Sequence, residues 1–583
     1  MSVVAFRYKN FMAFRDTGWI ELRPIGLLFG RNSSGKSAII RGLRLLKQSL
    51  RTDDGSSLGD PNALRFAVES QLDLGDFRSA LHQHSESAYD EEEIEAQKIT
   101  FAFRIETSDL ATRLWQRIQQ AGVMPEVSID RVPSVVELNL EFGYSNNMNA
   151  VRLIGVHLDC PSSQEIDSQR VVFVSSVRPG ELIELSHPDS AGRYTTMWSN
   201  RWYWASDCYI GDQLDSDSVA PDIDWAEVEI VRRFGFLPHL HHKKILKITE
   251  DLAEATTDYA LTEIALRSLS EEIRSFLQNI EYLGPIRPQP ERVYQINRFA
   301  LQHWRDQGLG AWGEFITTTS DSHQSNQEET RFSSGYSAQS NEYKGEVQQL
   351  LDTTIREELQ EEPTKSLKSF QNQMDGWIEK LQLGSKIQVQ SSGIAKGLGY
   401  ASQVFIVKEN GKSDTLVDVG YGASQVLPVI ATCLWHQQED HIERSIPITT
   451  DLKLIIIEQP ELHLHPRAQA QLGDLFIQSA RLDVRLLLET HSEHLLLRLQ
   501  KQIAKTTAGV IPEEDQARML LPNQFAVYFV NRKNMLSSIT RISIGAYGDL
   551  LDTPEGFEDF FSDDMIETAE RMRIRLAGVR KAN

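Results

Sequence analysis

Three cysteines in 583 residues are too few and too scattered to staple a fold or build a metal site. Cys160, Cys208 and Cys433 give neither an even disulfide framework nor a ligand spacing, so they are expected to be ordinary buried thiols. Long apolar runs are also missing. No stretch approaches the ~18 residues of a membrane span, and the opening MSVVAFRYKN lacks a signal peptide's apolar region and cleavage site. A cytoplasmic protein without membrane attachment is the expectation. Positive charge is scarce, with 60 Lys and Arg against 82 Asp and Glu and a net charge of −22. This argues against a surface coated for nucleic-acid phosphate, while leaving room for a local basic groove. Acidity on this scale equally keeps a crowded oligomer soluble.

What is present is a globular composition, 40% hydrophobic and 24% charged, in a chain long enough for more than one structural unit. Its organising stretch is 26–50, IGLLFGRNSSGKSAIIRGLRLLKQSL: an apolar run, a tight polar loop and an amphipathic helix. The pattern G-x-x-x-x-G-K-S reads as a phosphate-binding loop. Gly30 and Gly35 let backbone amides, including those of Asn32, Ser33 and Ser34, close around an anion; Lys36 reaches the outer phosphates and the Ser37 hydroxyl is placed for Mg²⁺. The helix that follows points its positive end at the phosphates. ATP and Mg²⁺ are the cofactors this predicts.

Strands are expected at 2–9 and 19–29, the second feeding the loop, and the helix should run to about Leu50. Next comes a polar turn with Gln71 and Asp76, either of which the ATPase resemblance described below implies as the polar group facing the metal and water; the local sequence does not choose between them. Segments 98–106, 134–144, 150–159 and 169–176 alternate apolar and polar residues as half-buried antiparallel strands do. From 177 the character changes to aromatic and acidic, then helical. His239, His241 and His242 in PHLHHKK lack carboxylate or cysteine company and read as a solvated basic turn. The polar tract 317–341 cannot bury enough apolar surface to order itself. No heptad pattern lasts long enough for a coiled-coil arm.

A second half of the site follows in quick succession. DVGYGASQVLPV puts a glycine turn before Ser424 and Gln425 at a helix start. LKLIIIEQPELHLHP drives four apolar residues to Glu458 at a strand's carboxyl end, where a carboxylate holds Mg²⁺. VRLLLETHSEHLLLRL repeats the form and delivers His491. With the phosphate loop upstream, the three together point to one nucleotide site. The predicted fold is α/β, a P-loop ATPase head with a mixed sheet and a β-rich lobe, divided as 1–175, a mainly helical insertion at 176–385, and 386–583.

The motifs GRNSSGKS, EQPELHLHP, ETHSEHLLLRL and YGDLLDTPEGFEDF resemble ABC-type ATPases of the structural-maintenance-of-chromosomes (SMC) and overcoming-lysogenization-defect (OLD) lineage. In particular they are similar to AAA-type proteins with a DUF3696-type tail and to the PtuA family of ATPase subunits from Septu anti-phage systems. The resemblance covers the first fifty residues and about the last 170, and touches the middle only through LGPIR. It implies head-to-tail protomers clamping nucleotide, in which Gly422, Ser424 and Gln425 reach the partner's γ-phosphate. It further implies that Glu458 is the metal-side carboxylate and His491 the γ-phosphate switch, with Leu464 and His465 in the dimer-crossing loop. One departure stands out: the acid that normally follows the metal-side carboxylate is Gln459, and an amide cannot take a proton at neutral pH. Glu461 is the candidate substitute.

The resemblance implies an ATP-binding subunit of an anti-phage defence complex, controlling a separate HNH-type nuclease and meeting nucleic acid through that complex. The tail supports this expectation, since Asp549, Asp552, Glu555 and Asp559 form no clear catalytic arrangement of their own. Two other functions fit: a DNA-repair or chromosome-management motor, and an ATP-locked scaffold that does not hydrolyse.

Overall fold

The computed structural model describes residues 2–50, 62–68, 71–82, 97–107, 134–145, 149–160, 169–175, 184–188, 194–198, 202–205, 226–228, 230–233, 236–240, 266–287, 289–296, 304, 309–313, 315–317, 369–393, 400–438, 453–480, 484–511, 519–533 and 536–557. Two compact units divide the chain. One comprises Met1–Leu22, Gly30–Ile280 and Phe529–Thr540; the other comprises Arg23–Phe29, Glu281–Tyr528 and Arg541–Asn583.

The first unit is built on a nine-stranded antiparallel sheet in the order Ala226–Val228, Trp202–Ala205, Gln169–Ser175, Ala150–Cys160, Val135–Ser145, Lys98–Glu106, Ser2–Phe11, Phe14–Asp16, with Ile20–Glu21 also paired to Ser2–Phe11. Alternation in the sequence becomes alternation of faces, and one face collects rings. Tyr8 packs edge-on against Phe11 and Phe101, with centroids 5.7 and 5.2 Å away. Each such ring, fully buried here, contributes about 1.5–3 kcal/mol of transfer energy. The helix Lys36–Ser49 lies on this layer, where the Tyr8 hydroxyl donates to the Ile39 carbonyl at 3.2 Å. Gly42 is required at that crossing, because a Cβ there would run into the Tyr8 ring.

The described part of 176–240 departs from the expected mainly helical insertion. Its elements are strands: Glu184–Pro188 pairs with Tyr194–Trp198, Ile230–Arg233 with Leu237–Leu240, and Trp202–Ala205 extends the large sheet. YTTMW, WYWA and IVRR are rich in the β-branched and aromatic residues that suit a pleated surface. Helix is present later, at 266–278 and 369–380. His241, His242, Cys208 and residues 318–341 lie outside the described residues.

The second unit has at its centre the parallel strands Lys453–Glu458 and Val484–Glu489, with Ile25–Gly30 parallel beside them; the sheet has seven strands in the order Ile280–Leu283, Lys453–Glu458, Val484–Glu489, Ile25–Gly30, Phe525–Lys533, Leu536–Ile544, Leu550–Leu551. The sheet is mixed, since Leu536–Ile544 and Leu550–Leu551 pair antiparallel. The expected strand 19–29 is broken in two, with Pro24 at the break; proline has no amide to donate to a ladder. Helices Tyr421–Gln438, Pro466–Ala480 and Glu493–Ala508 and a smaller sheet of Tyr294–Ile296, Lys386–Gly393, Tyr400–Val407 and Ser413–Thr415 complete the unit. The architecture is of the α/β class that the sequence predicts, with a mixed sheet and a β-rich unit. Among the described residues no helix is long and apolar enough to cross a membrane.

Candidate nucleotide site

In the first unit, the turn from Gly30 into the helix depends on its glycines. Gly30 has φ 155° and Gly35 φ 111°, both positive, and Ser33 between them sits at φ 61°. A Cβ on Gly30 would meet the carbonyl oxygen of Val530 and, at 2.7 Å, the Ser34 hydroxyl. A Cβ on Gly35 would come within 3.0 Å of Ala13, 3.1 Å of the Phe14 ring and 3.1 Å of Ser537. Backbone can approach a ligand closely here only because no side chain intervenes. Asn32 and Ser33 are exposed, while Ser34 and Lys36 are only 3% and 4% exposed. The Lys36 ammonium donates to the carbonyls of Gly30 at 2.7 Å and Arg31 at 3.0 Å, folding across the mouth of the loop. Ser34 Oγ is buried without a hydrogen-bond partner. Ser37 is half-buried in the first helical turn, which contains no acidic residue to neutralise the helix's positive end.

The two candidates in the following turn separate. Asp76 caps the short helix Phe77–Ala80, accepting from the amide and hydroxyl of Ser79 at 2.8 Å each; the Ser79 amide holds its carboxyl below the usual carboxylate range. Gln71 is exposed.

In the second unit, the three parallel strands end level: Glu458 is in register with Glu489, and Glu489 with Leu28. Leu28 lies two residues before Gly30 in the sequence. Glu458 is 8% exposed, and its Oε1 accepts a hydrogen bond from the Tyr282 hydroxyl at 2.7 Å. Its carbonyl accepts from Arg287 Nη2 at 3.0 Å. The chain then turns sharply. Gln459 takes φ 47° and donates its amide to the Glu489 carbonyl at 2.7 Å. That turn carries Glu461 inward, where it is 9% exposed. Oε1 of Glu461 accepts from the His491 amide at 2.7 Å, and Oε2 has no hydrogen-bond partner. Burial raises the Glu461 pKa above the ordinary range, against the opposing pull of the His491 amide. The structure thus joins the Glu458 strand end, Glu461 and the His491 backbone.

The glycine turn behaves differently from the expected partner-facing surface. Gly422 packs on the loop 459–465, since a Cβ would lie 2.5 Å from the His463 carbonyl oxygen. Ser424 donates to the Tyr421 carbonyl at 2.8 Å, and Gln425 is 1% exposed with Nε2 3.5 Å from the Arg287 carbonyl. The exposed groups at this helix start are Gly420 and Tyr421, whose ring meets His463 edge-on at 4.8 Å. Leu464 is half-buried and His465 exposed in the same loop. Neither Tyr282 nor Arg287 is among the site residues expected from the sequence. Their signal was YLGPIR, a polar aromatic and a cation set around a proline turn just after a strand.

Residues 239–496 match the model of the AAA ATPase domain family. That stretch contains Glu458, Gln459, Glu461 and His491 and excludes the loop 30–37. The loop motif and the domain match, each from its own part of the chain, mark a nucleotide-binding ATPase fold. No curated protein matches the chain at a significant level. Among solved structures, the Smc head bound to the C-winged helix domain of ScpA is similar with a TM-score of 0.36 and 9% identity, covering 93% of this chain and 98% of that one. The Smc head domain with an extended coiled coil bound to the C-terminal domain of ScpA, from Pyrococcus furiosus, gives 0.34 and 10%, covering 93% and 96%. The SMC head domain from Thermotoga maritima gives 0.34 and 9%, covering 93% and 100%. Likeness at these values carries nothing about activity.

Proposed function

We propose that the chain is an ATP-binding subunit that hydrolyses slowly and uses nucleotide to control the assembly of a bacterial anti-phage complex, with cutting done by a separate nuclease. The observation that carries the chemical part is Glu461: a buried carboxyl with one oxygen fixed on the His491 amide and the Thr490 side chain beside it. Such a group, with its pKa raised, suits a general base better than Gln459, which has no basic atom at neutral pH. The Gly30 and Gly35 cradle and the buried hydroxyl of Ser34 fit a phosphate group.

Bound Mg²⁺ would neutralise phosphate charge and orient the water. Among the described residues no cluster of three or more His, Cys, Asp or Glu is placed to hold a metal alone. Magnesium in phosphate-loop ATPases needs none, because it takes one or two protein oxygens and fills the rest with phosphate and water. Ser37 and Glu458 are the oxygens we assign. Lys36 holds the outer phosphates, His491 senses the terminal one, and Gly422, Ser424 and Gln425 are assigned to the nucleotide of a head-to-tail partner. The defence role and the nuclease partner rest on the motif resemblance alone.

The test is single-turnover hydrolysis with oligomeric state followed by mass photometry. Glu461→Gln should abolish phosphate release, and Lys36→Ala should abolish nucleotide binding. If wild type binds ATP and assembles without releasing phosphate, and Gln459→Glu restores turnover, the chain is instead an ATP-locked scaffold. Turnover stimulated by DNA would favour the repair motor. Failure to co-purify with a nuclease or to protect cells from phage would overturn the defence assignment.

A further inference from the structure

Arg287 follows the turn Gly284-Pro285-Ile286, which leaves Ile286 90% exposed and turns the arginine inward to 2% exposure. Its Nη2 donates to the Glu458 carbonyl at 3.0 Å, while Nε and Nη1 are buried without partners. The acids around it do not neutralise it at contact distance. Glu458 Oε1 is engaged by Tyr282 and Glu461 Oε1 by the His491 amide, and among the described residues Nε and Nη1 of Arg287 have no partner. Burial pulls its pKa down to about 10, with Glu461, Tyr282 and Glu458 opposing the shift, so the guanidinium remains charged at neutral pH. A charge buried without an ion-pair partner costs several kcal/mol. Removing the cost takes an anion, and the place is suggestive: the carbonyl that anchors Arg287 belongs to Glu458, at the edge where the three parallel strands end in register. Gln425 from the helix Tyr421–Gln438 holds the Arg287 main chain from the other side.

We propose that Arg287 is a phosphate-binding residue whose open Nε and Nη1 donors take an oxygen of the terminal phosphate of a bound nucleoside triphosphate. This rests on the nucleotide reading above and deepens it. The added contact distinguishes triphosphate from diphosphate, because only the former brings the extra anionic oxygens. It also ties nucleotide state to the Glu458 main chain and to the helix behind the glycine turn.

Calorimetric binding of AMP-PNP and of ADP, each with Mg²⁺, to wild type, Arg287→Met, Arg287→Lys and Lys36→Ala tests this without reference to turnover. Arg287→Met should weaken AMP-PNP by about tenfold or more, as expected for losing one charge-assisted hydrogen bond, and ADP by less than about threefold. Arg287→Lys should fall between. Melting without nucleotide checks the fold; if Arg287→Met does not fold, Arg287→Gln serves the same comparison. Equal losses for both nucleotides, or no loss, would overturn the assignment, and a simultaneous loss of all binding in Lys36→Ala would show that the nucleotide reading survives. If wild type binds neither nucleotide, both readings fall.

Discussion

The backbone amide of His491 donates to Oε1 of Glu461 at 2.7 Å, so the turn after one parallel strand fixes a carboxyl that belongs to the turn after its neighbour. This bond sets the carboxyl's orientation but does not cancel its burial, which raises the pKa. A base works only when ionised, so turnover should fall as pH drops through a value above the ~4.3 of a free glutamate. The same shift has a stability consequence. Because the folded state holds this proton more tightly than the unfolded chain, the associated stability is present below ~4.3 and is lost as pH rises through the raised value. Glu461→Gln should therefore lose turnover at every pH and show a melting temperature less sensitive to pH over that window. A wild-type rate profile that stays flat down to the ~4.3 of a free glutamate would contradict the role of base.

Tyr282 addresses the neighbouring carboxylate. Its hydroxyl donates to Glu458 Oε1 at 2.7 Å and so fixes the carboxylate's orientation. Groups that orient a metal-binding carboxylate commonly account for about 10–100-fold in metal affinity. Tyr282→Phe keeps the ring and removes only that bond. The Mg²⁺ concentration that half-saturates ATP-dependent stabilisation should rise by a factor in that range, with little change in melting of the free protein. An unchanged Mg²⁺ requirement would mean that Glu458 is not a metal ligand.

Two glycines in the second unit should respond to alanine in opposite directions. At Gly422 a Cβ would lie 2.5 Å from the His463 carbonyl oxygen, a backbone atom that cannot rotate away. Gly422→Ala should cost about 1–3 kcal/mol, as overpacking does. Gly376 is an exposed residue within the helix 369–380, with nothing within 4 Å of a Cβ. Gly376→Ala should stabilise by up to about 1 kcal/mol through helix propensity. Thermal melting of the two variants decides whether the glycine turn is truly held against the loop 459–465.

The buried strands were legible because their apolar runs are short, continuous and end in polar residues: LIII before Glu458 and LLL before Glu489. The phosphate loop was legible because its spacing carries its chemistry. What could not be read was convergence. Tyr282 and Arg287 precede Glu458 by 176 and 171 positions, and only the sheet order, which sets Ile280–Leu283 beside Lys453–Glu458, brings them to it. The inward packing of Ser424 and Gln425 was hidden for the same reason, since a helix start does not reveal which loop will cover it. The strands of 184–240 were not legible because each is only three to five residues long, too short to show a sustained alternation.

A final prediction concerns what holds the helices behind the site. Asp474 of Pro466–Ala480 is 3% exposed and is gripped by Arg498 of Glu493–Ala508 through Nε–Oδ1 and Nη2–Oδ2 bonds of 2.8 Å each, with Lys380 at 3.5 Å. The paired geometry is the strong form of this interaction, and the hydrogen bonds to Asp474 raise the Arg498 pKa. The partners are unequal, since Asp474 is buried and the Arg498 side chain is 27% exposed. Removing Arg498 takes the two-point partner from a buried carboxylate that Lys380 reaches only at 3.5 Å, whereas removing the Asp474 charge leaves a cation that can turn to water. Arg498→Met should therefore cost about 3–5 kcal/mol, as breaking a buried pair does. Asp474→Asn should cost less, and adding Asp474→Leu to Arg498→Met should recover much of the loss. Denaturant melts of the three variants measure this directly. Equal costs for the two single substitutions would mean that the penalty comes from lost packing between the helices rather than from the abandoned charge.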